Sequence, residues 1–383
     1  MPIPSNPAPA RGHSMPSSVT AGPPPVNPMP RSTRRTAAAV PTSDLPAEQP
    51  PSRPPQPAGA GWQRELADAV RDPEELCRLL SLDPALAEAA RRAAGDFPLL
   101  VPRGFVARMR PGDPNDPLLL QVLPRLAERE QVAGFSADPL QEEHALTSPG
   151  LVQKYAGRAL LLTTGACAVN CRYCFRREFP YGTSGATQAG LEAALDAIAA
   201  DPSLHEVILS GGDPLVLDDV RLARIVARLE AIPHVRRLRI HSRLPIVLPS
   251  RVTDPLVATL VRTRLACIVV VHANHPAELD ATVAAAIARL SAAGVILLNQ
   301  AVLLAGVNDS TAVLKELCER LVDLGVVPYY LHMLDRVQGT AAFEADELSA
   351  RNLHEQLRSL LPGYAVPRLA REVPGEPAKV WLG

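Results

Sequence analysis

The chain has 383 residues, 39 basic against 40 acidic side chains and a formal net charge of −1, with 47% hydrophobic and 21% charged residues. That length leaves room for one large domain or two ordinary ones. A balance so near neutral excludes a nucleic-acid binder that relies on broad phosphate neutralisation, no apolar run reaches the ~18–20 residues that span a bilayer, and six cysteines are too few for a disulfide scaffold.

Residues 1–60 carry 17 of the chain's 40 prolines, five arginines, two acidic residues and no Trp, Tyr, Phe or Cys. Such a segment cannot bury enough apolar surface to offset the entropy of ordering it, so a disordered, partly polyproline-II tail is expected. It lacks the basic start and apolar stretch of a secretory signal, and the expected compartment is the cytoplasm. Translation starting at Met15 or Met29 is an equally simple account of the tail.

From Trp62 helical spacing begins (Leu66, Val70, then Leu76, Leu79, Leu80), broken by Asp-Pro pairs at 72–73 and 83–84. Asp as N-cap with Pro at the first helical position suits helix starts. A small helical lead-in is expected over 61–150.

Short apolar runs follow at 159–164, 206–210, 237–242, 267–272, 295–300 and 326–332, separated by helical periodicity over 187–200, 216–231, 254–263, 278–293 and 310–324. Strands alternating with helices predict parallel β/α units, and continuous apolar strands predict a sheet covered on both faces. The residues that look chemical stand at strand ends: Cys167, Gly211–Asp213, His241–Arg243, His272–His275 and Asn308–Asp309. Chemistry at the C-terminal ends of strands is the habit of a barrel. The expected fold is therefore α/β, an open (β/α)6 partial barrel over 151–340, with a C-terminal helix and a Pro/Gly-rich end over 341–383.

The strongest chemical signal is Cys167-Ala-Val-Asn-Cys171-Arg-Tyr-Cys174. Three thiols cannot pair among themselves, and a structural zinc site wants four protein ligands. Thiolates favour iron–sulfur chemistry, and a four-iron cubane on three cysteines keeps one iron open. This CxxxCxxC loop after a first barrel strand resembles the radical S-adenosylmethionine (SAM) superfamily. The resemblance implies a [4Fe–4S] cluster on Cys167, Cys171 and Cys174, SAM chelated to the open iron, an external electron donor, and cleavage of SAM to a 5′-deoxyadenosyl radical. Ser210-Gly211-Gly212-Asp213-Pro214 resembles the superfamily's Gly-Gly-acidic loop against the SAM amino group, although Asp213 suits a helix cap equally well.

Several further segments narrow the family: Thr164–Arg177 around the cysteines, Leu298-Asn299-Gln300, Gly306-Val307-Asn308-Asp309, Pro328-Tyr329-Tyr330-Leu331-His332 and Leu369–Lys379. From about residue 62 to the C-terminus the chain resembles the lysine 2,3-aminomutase family, and within it the short branch of elongation factor P (EF-P) β-lysylation proteins. The resemblance implies pyridoxal 5′-phosphate (PLP) as second cofactor, with Lys379 as its Schiff-base lysine and Arg158 beside it. It places Arg176 on the substrate carboxylate and Asp309 and Glu372 on the substrate's ε-ammonium. Two carboxylates in a pocket closed to water select a cationic tail, since leaving them unpaired costs several kcal/mol.

The implied reaction converts L-lysine to (R)-β-lysine, which a separate ligase attaches to EF-P. A same-chemistry enzyme supplying free β-lysine, or a radical SAM enzyme without PLP, are the alternatives; neither nucleic acid nor membrane is an expected partner. The chain departs from long members in having Pro374-Gly375-Glu376-Pro377-Ala378 where they have a glycine run, and in stopping at Gly383 without their zinc-binding cysteines. Cys77, Cys267 and Cys318 stand in apolar contexts and read as core thiols.

Overall fold

Local chemistry starts the lead-in helices as their Asp-Pro pairs predict. In the computed structural model, which describes residues 60–182 and 184–383, Asp72 accepts from the Glu74 amide and Asp83 from the Ala85 amide. They cap α2 (Pro73–Leu79) and α3 (Pro84–Ala94), after α1 (Ala60–Ala67) and before α4 (Arg103–Val106). A third Asp-Pro pair, Asp116-Pro117, starts α5 (Pro117–Leu120), with Asp116 accepting from the amides of Leu118 and Leu119. All but the last residue of the expected proline-rich tail lies outside the described residues.

One sheet of ten strands follows, paired in chain order from β1 to β10. β1 (Leu146–Ser148) and β2 (Leu151–Tyr155) enter antiparallel, and β2 pairs antiparallel with β3. β3 (Arg158–Thr164), β4 (Glu206–Gly211), β5 (Arg237–Ser242), β6 (Ala266–Val271), β7 (Ile296–Val302) and β8 (Val327–His332) are mutually parallel. α6 (Gln188–Ala200), α7 (Asp219–Glu230), α9 (Asp254–Val261), α10 (Ala281–Ala292) and α11 (Thr311–Asp323) cross between them, and the short α8 (Leu244–Val247) follows β5. This is the expected partial (β/α)6 barrel.

The structure adds what the apolar pattern did not announce. After α12 (Glu347–Leu360), β9 (Arg368–Arg371) pairs parallel with β8, and β10 (Val380–Trp381) turns back antiparallel on β9. Only Leu369 and Ala370 of β9 are fully buried, too short an apolar run to read as a strand. Among the described residues no pairing joins β1 to β10, so the barrel stays open.

The core lies between the strands and the inner faces of the helices. α7 shows how: Leu222, Ile225, Val226 and Leu229 are buried at helical spacing, each contributing ~1.5–3 kcal/mol on leaving water. Cys77, Cys267 and Cys318 are free, buried thiols in that core. Among the described residues no helix is long and apolar enough to cross a membrane.

Candidate active site

The C-terminal ends of the parallel strands open into one cavity of ≈ 620 Å³. All three loop cysteines line it. Their loop is held from behind by the lead-in: the Arg172 amide donates to Gln121 O at 2.8 Å and the Asn170 amide to Leu100 O at 3.0 Å. Arg172 is fully buried, yet its guanidinium forks onto Glu128 (2.5–3.1 Å) and donates to Phe97 O at 2.6 Å. A buried charge is tolerable only with that degree of pairing. Arg172 and Arg177 also stack on the Phe97 ring, at 4.8 and 5.0 Å from its centroid.

The glycine turn after β4 packs directly on this loop. The Gly212 amide donates to Thr164 O at 2.7 Å and the Asp213 amide to Ala166 O at 2.8 Å. A Cβ at Gly212 would stand 2.2 Å from Ala166 O, and Gly211 has φ +115°, so neither position takes a side chain. Asp213 is buried, and its carboxylate accepts from Ser242 Oγ (2.8 Å), the Arg243 amide (2.7 Å) and the Leu215 amide (3.0 Å). Of its two expected uses the capping one is therefore visible, together with a tie to β5, and it still lines the cavity. Burial pushes its pKa up to about 6 against those bonds.

Burial and the neighbouring thiols also push Cys174 up to about 11 and Cys167 well above the ordinary thiol value. Thiols in that state give up protons when they bind metal. Among the described residues no three His, Cys, Asp or Glu side chains gather about a point as a single ion requires. A cubane instead takes its thiolates at separate corners, and three accessible thiols on one cavity wall fit that donor set.

The same cavity carries a chain of alternating charge. Arg176 is buried and paired with Glu142 at 2.6 and 2.9 Å, and it donates to Ser210 Oγ at 3.0 Å. Lys154 bridges Glu142 (3.1 Å) to Glu372 (2.7 Å), and Glu372 accepts from Lys379. Burial alone would raise Glu372, but Lys379 and Lys154 outweigh it and hold the carboxyl at about 2. For Arg176 burial opposes the charge, and Glu142 more than offsets it, holding the guanidinium above its ordinary value.

Asp335, just beyond the end of β8, lines the same cavity. Burial, then the Glu372 charge, raise its pKa to about 7. His332 is pushed down to about 3 and His272 to about 4, burial first in each case, so both imidazoles are neutral near pH 7. Buried nitrogens without a partner remain: Nε of Arg158 and Arg239, and Nε2 of His241 and His272. All four residues line the cavity, and the unspent buried arginine donors call for a polar, anionic occupant. Together with the amine of Lys379 they fit PLP.

Of the residues singled out from sequence, Cys167, Cys171, Cys174, Arg158, Arg176, Ser210, Gly211, Gly212, Asp213, Glu372 and Lys379 share this cavity. Asp309 does not. It is exposed, on the turn before α11, while its neighbour Asn308 is buried and holds that turn through Asn274 O and Val302 O, both at 2.9 Å. The cavity is lined instead by Asp335, whose carboxyl feels the charge of Glu372.

Sequence reasoning passed over Glu142, Lys154 and Asp335, while His241 and His272 were marked only by their place at strand ends. The strand-end rule, extended to the sixth strand, reaches His332 and then Asp335. Nothing local marks Glu142 or Lys154, since one enters from a short turn before β1 and the other from the antiparallel β2.

Comparison with known proteins gives the family. The sequence model of the Radical SAM superfamily matches residues 161–262. The chain is 51% identical over 327 residues to an L-lysine 2,3-aminomutase of Escherichia coli, covering 85% of this chain and 95% of that one. It is 46% identical over 318 residues to the enzyme of that name from Haemophilus influenzae (83% and 94% covered), and 35% identical over 315 residues to that of Clostridium subterminale (82% and 76%).

Proposed function

The chain belongs to the L-lysine 2,3-aminomutase family of radical SAM enzymes, and from that membership we propose that it converts L-lysine to (R)-β-lysine with PLP as second cofactor, the product serving modification of EF-P. The observation that carries the reading is the meeting of Lys379, Glu372 and Asp335 with the three cysteines around one cavity.

When bound, the cluster with SAM supplies a hydrogen-abstracting radical, and PLP supplies the carbonyl that carries the migrating nitrogen. The protein's own groups do the rest. Cys167, Cys171 and Cys174 would hold the cluster and leave one iron for SAM, which the backbone of Ser210–Gly212 borders. Lys379 would hold PLP through Nζ, with Arg158 and Arg239 offering unspent donors to it. Arg176, kept charged by Glu142, which takes its Nε and Nη2, would turn Nη1 toward a substrate carboxylate in exchange for Ser210. Glu372 and Asp335 give the far side of the cavity its preference for an ammonium.

Anaerobic turnover of the full chain with free L-lysine, SAM, PLP and dithionite, scored for β-lysine, tests the activity. SAM cleavage without β-lysine would overturn it. The EF-P destination rests on the likeness to the short branch. It is tested by feeding the product to an EF-P lysine ligase and looking for the β-lysyl adduct on EF-P, whose absence would reassign the product to a free β-lysine pathway.

A further inference from the structure

Arg243 follows β5 and is buried, yet it is not part of the charge chain around Lys379. Its Nη1 lies 2.7 Å from Cys171 Sγ. Its Nη2 donates to Gln121 Oε1 at 2.6 Å and to Glu278 Oε2 at 3.1 Å, and the carboxylate of Asp213 fixes its backbone amide at 2.7 Å. Phe105 and Tyr173 flank the guanidinium, with ring centroids 5.4 and 5.5 Å away. Glu278 is fully buried and its other oxygen accepts from the amides of Asn274 and His275. A cation is thus clamped on four sides and aimed at the sulfur of one cysteine out of three.

We propose that Arg243 is a positioning residue that donates to the cluster ligand Cys171 and raises the reduction potential of the cluster, with Glu278 as the counter-charge that limits the effect. Hydrogen bonds to ligating sulfur and nearby positive charge both favour the electron-rich state of an iron–sulfur cluster. The step affected is the one-electron reduction of the cluster by an external reductant, in which no bond of the protein is made or broken. The inference rests on the cluster assignment above.

The test uses the full chain, reconstituted anaerobically as wild type, Arg243→Gln and Glu278→Gln. Iron content is measured first, then the cluster is titrated with dithionite under electron paramagnetic resonance, without SAM and again with it. Arg243→Gln is expected to lower the ratio of reduced to oxidised cluster about tenfold at fixed ambient potential without SAM, a shift of about 59 mV for one electron. Glu278→Gln is expected to shift it the opposite way, which a merely structural lesion would not do. An Arg243→Gln protein with full iron and an unmoved potential overturns the proposal, as does a shift seen only when SAM is present. If Arg243→Gln does not retain iron, Glu278→Gln decides: an unchanged or lowered potential overturns the proposal. A wild type without iron would overturn the cluster assignment, and this inference with it.

Discussion

Glu372 and Lys379 face each other across the neck of the β9–β10 hairpin, where Arg371 pairs with Val380. The six residues between them form the loop, so the hairpin register alone brings the amine to its carboxylate. Lys379 therefore reaches the cavity already ion-paired, and on the proposed reading it would exchange that partner to take up the aldehyde of PLP.

Borohydride reduction of the PLP-loaded protein should place the label on Lys379. Lys379→Ala should abolish both the label and turnover while leaving the iron content of the cluster unchanged. Label on Lys154, the other cavity lysine, would assign the anchor elsewhere.

Asp335 should govern the pH dependence of substrate binding. With its pKa raised from 3.8 to about 7, it is protonated below neutrality and cannot pair with an ammonium. The KM for lysine should fall about tenfold per pH unit as pH rises toward 7 and level off above it. Asp335→Asn should raise KM and remove that slope. Stability moves the other way: the folded protein holds this proton more tightly than the unfolded chain, so the contribution is present at low pH and is lost as pH climbs through about 7.

Exposure separates the two aspartates. Asp309→Asn should leave KM and kcat within about twofold of wild type, because it alters a solvated turn. If Asp309→Asn matched Asp335→Asn in its effect on KM, the cavity geometry would be the wrong guide to the ammonium site.

Gly212→Ala puts a carbon against Ala166 O. The neighbour is backbone and cannot swing aside, so the cysteine loop must shift. The variant should lose most of its iron on reconstitution and melt several degrees lower, with a destabilisation of ~1–3 kcal/mol. Full iron at an unchanged melting temperature would show the turn to be slack.

The six barrel strands were legible because a sheet covered on both faces needs continuous apolar runs, and those runs stand within a residue or two of β3–β8. The cysteine loop was legible because cluster ligation fixes spacing along the chain. β9 and β10 were not, since a four-residue strand with two buried positions carries no periodicity. Asp309 attracted attention as a carboxylate in a family-like segment. Its turn is held by Asn308, and Asp335, a carboxylate that does line the cavity, stands past the next strand, where the same strand-end reasoning reaches it. Glu142 and Lys154 gain their meaning only from tertiary placement, when the short turn at Glu142–Ala145 and the antiparallel β2 lay them beside Arg176 and Glu372.

The clasp of Phe97 between Arg172 and Arg177 has a consequence for how the protein ages. It fastens the stretch just after α3 to the cysteine loop, so on the proposed cluster assignment oxygen damage at that loop should not stay a local event. Slackening of the loop should loosen its aromatic anchor too, and protease nicks near Phe97 should appear in step with the bleaching of the cluster's colour.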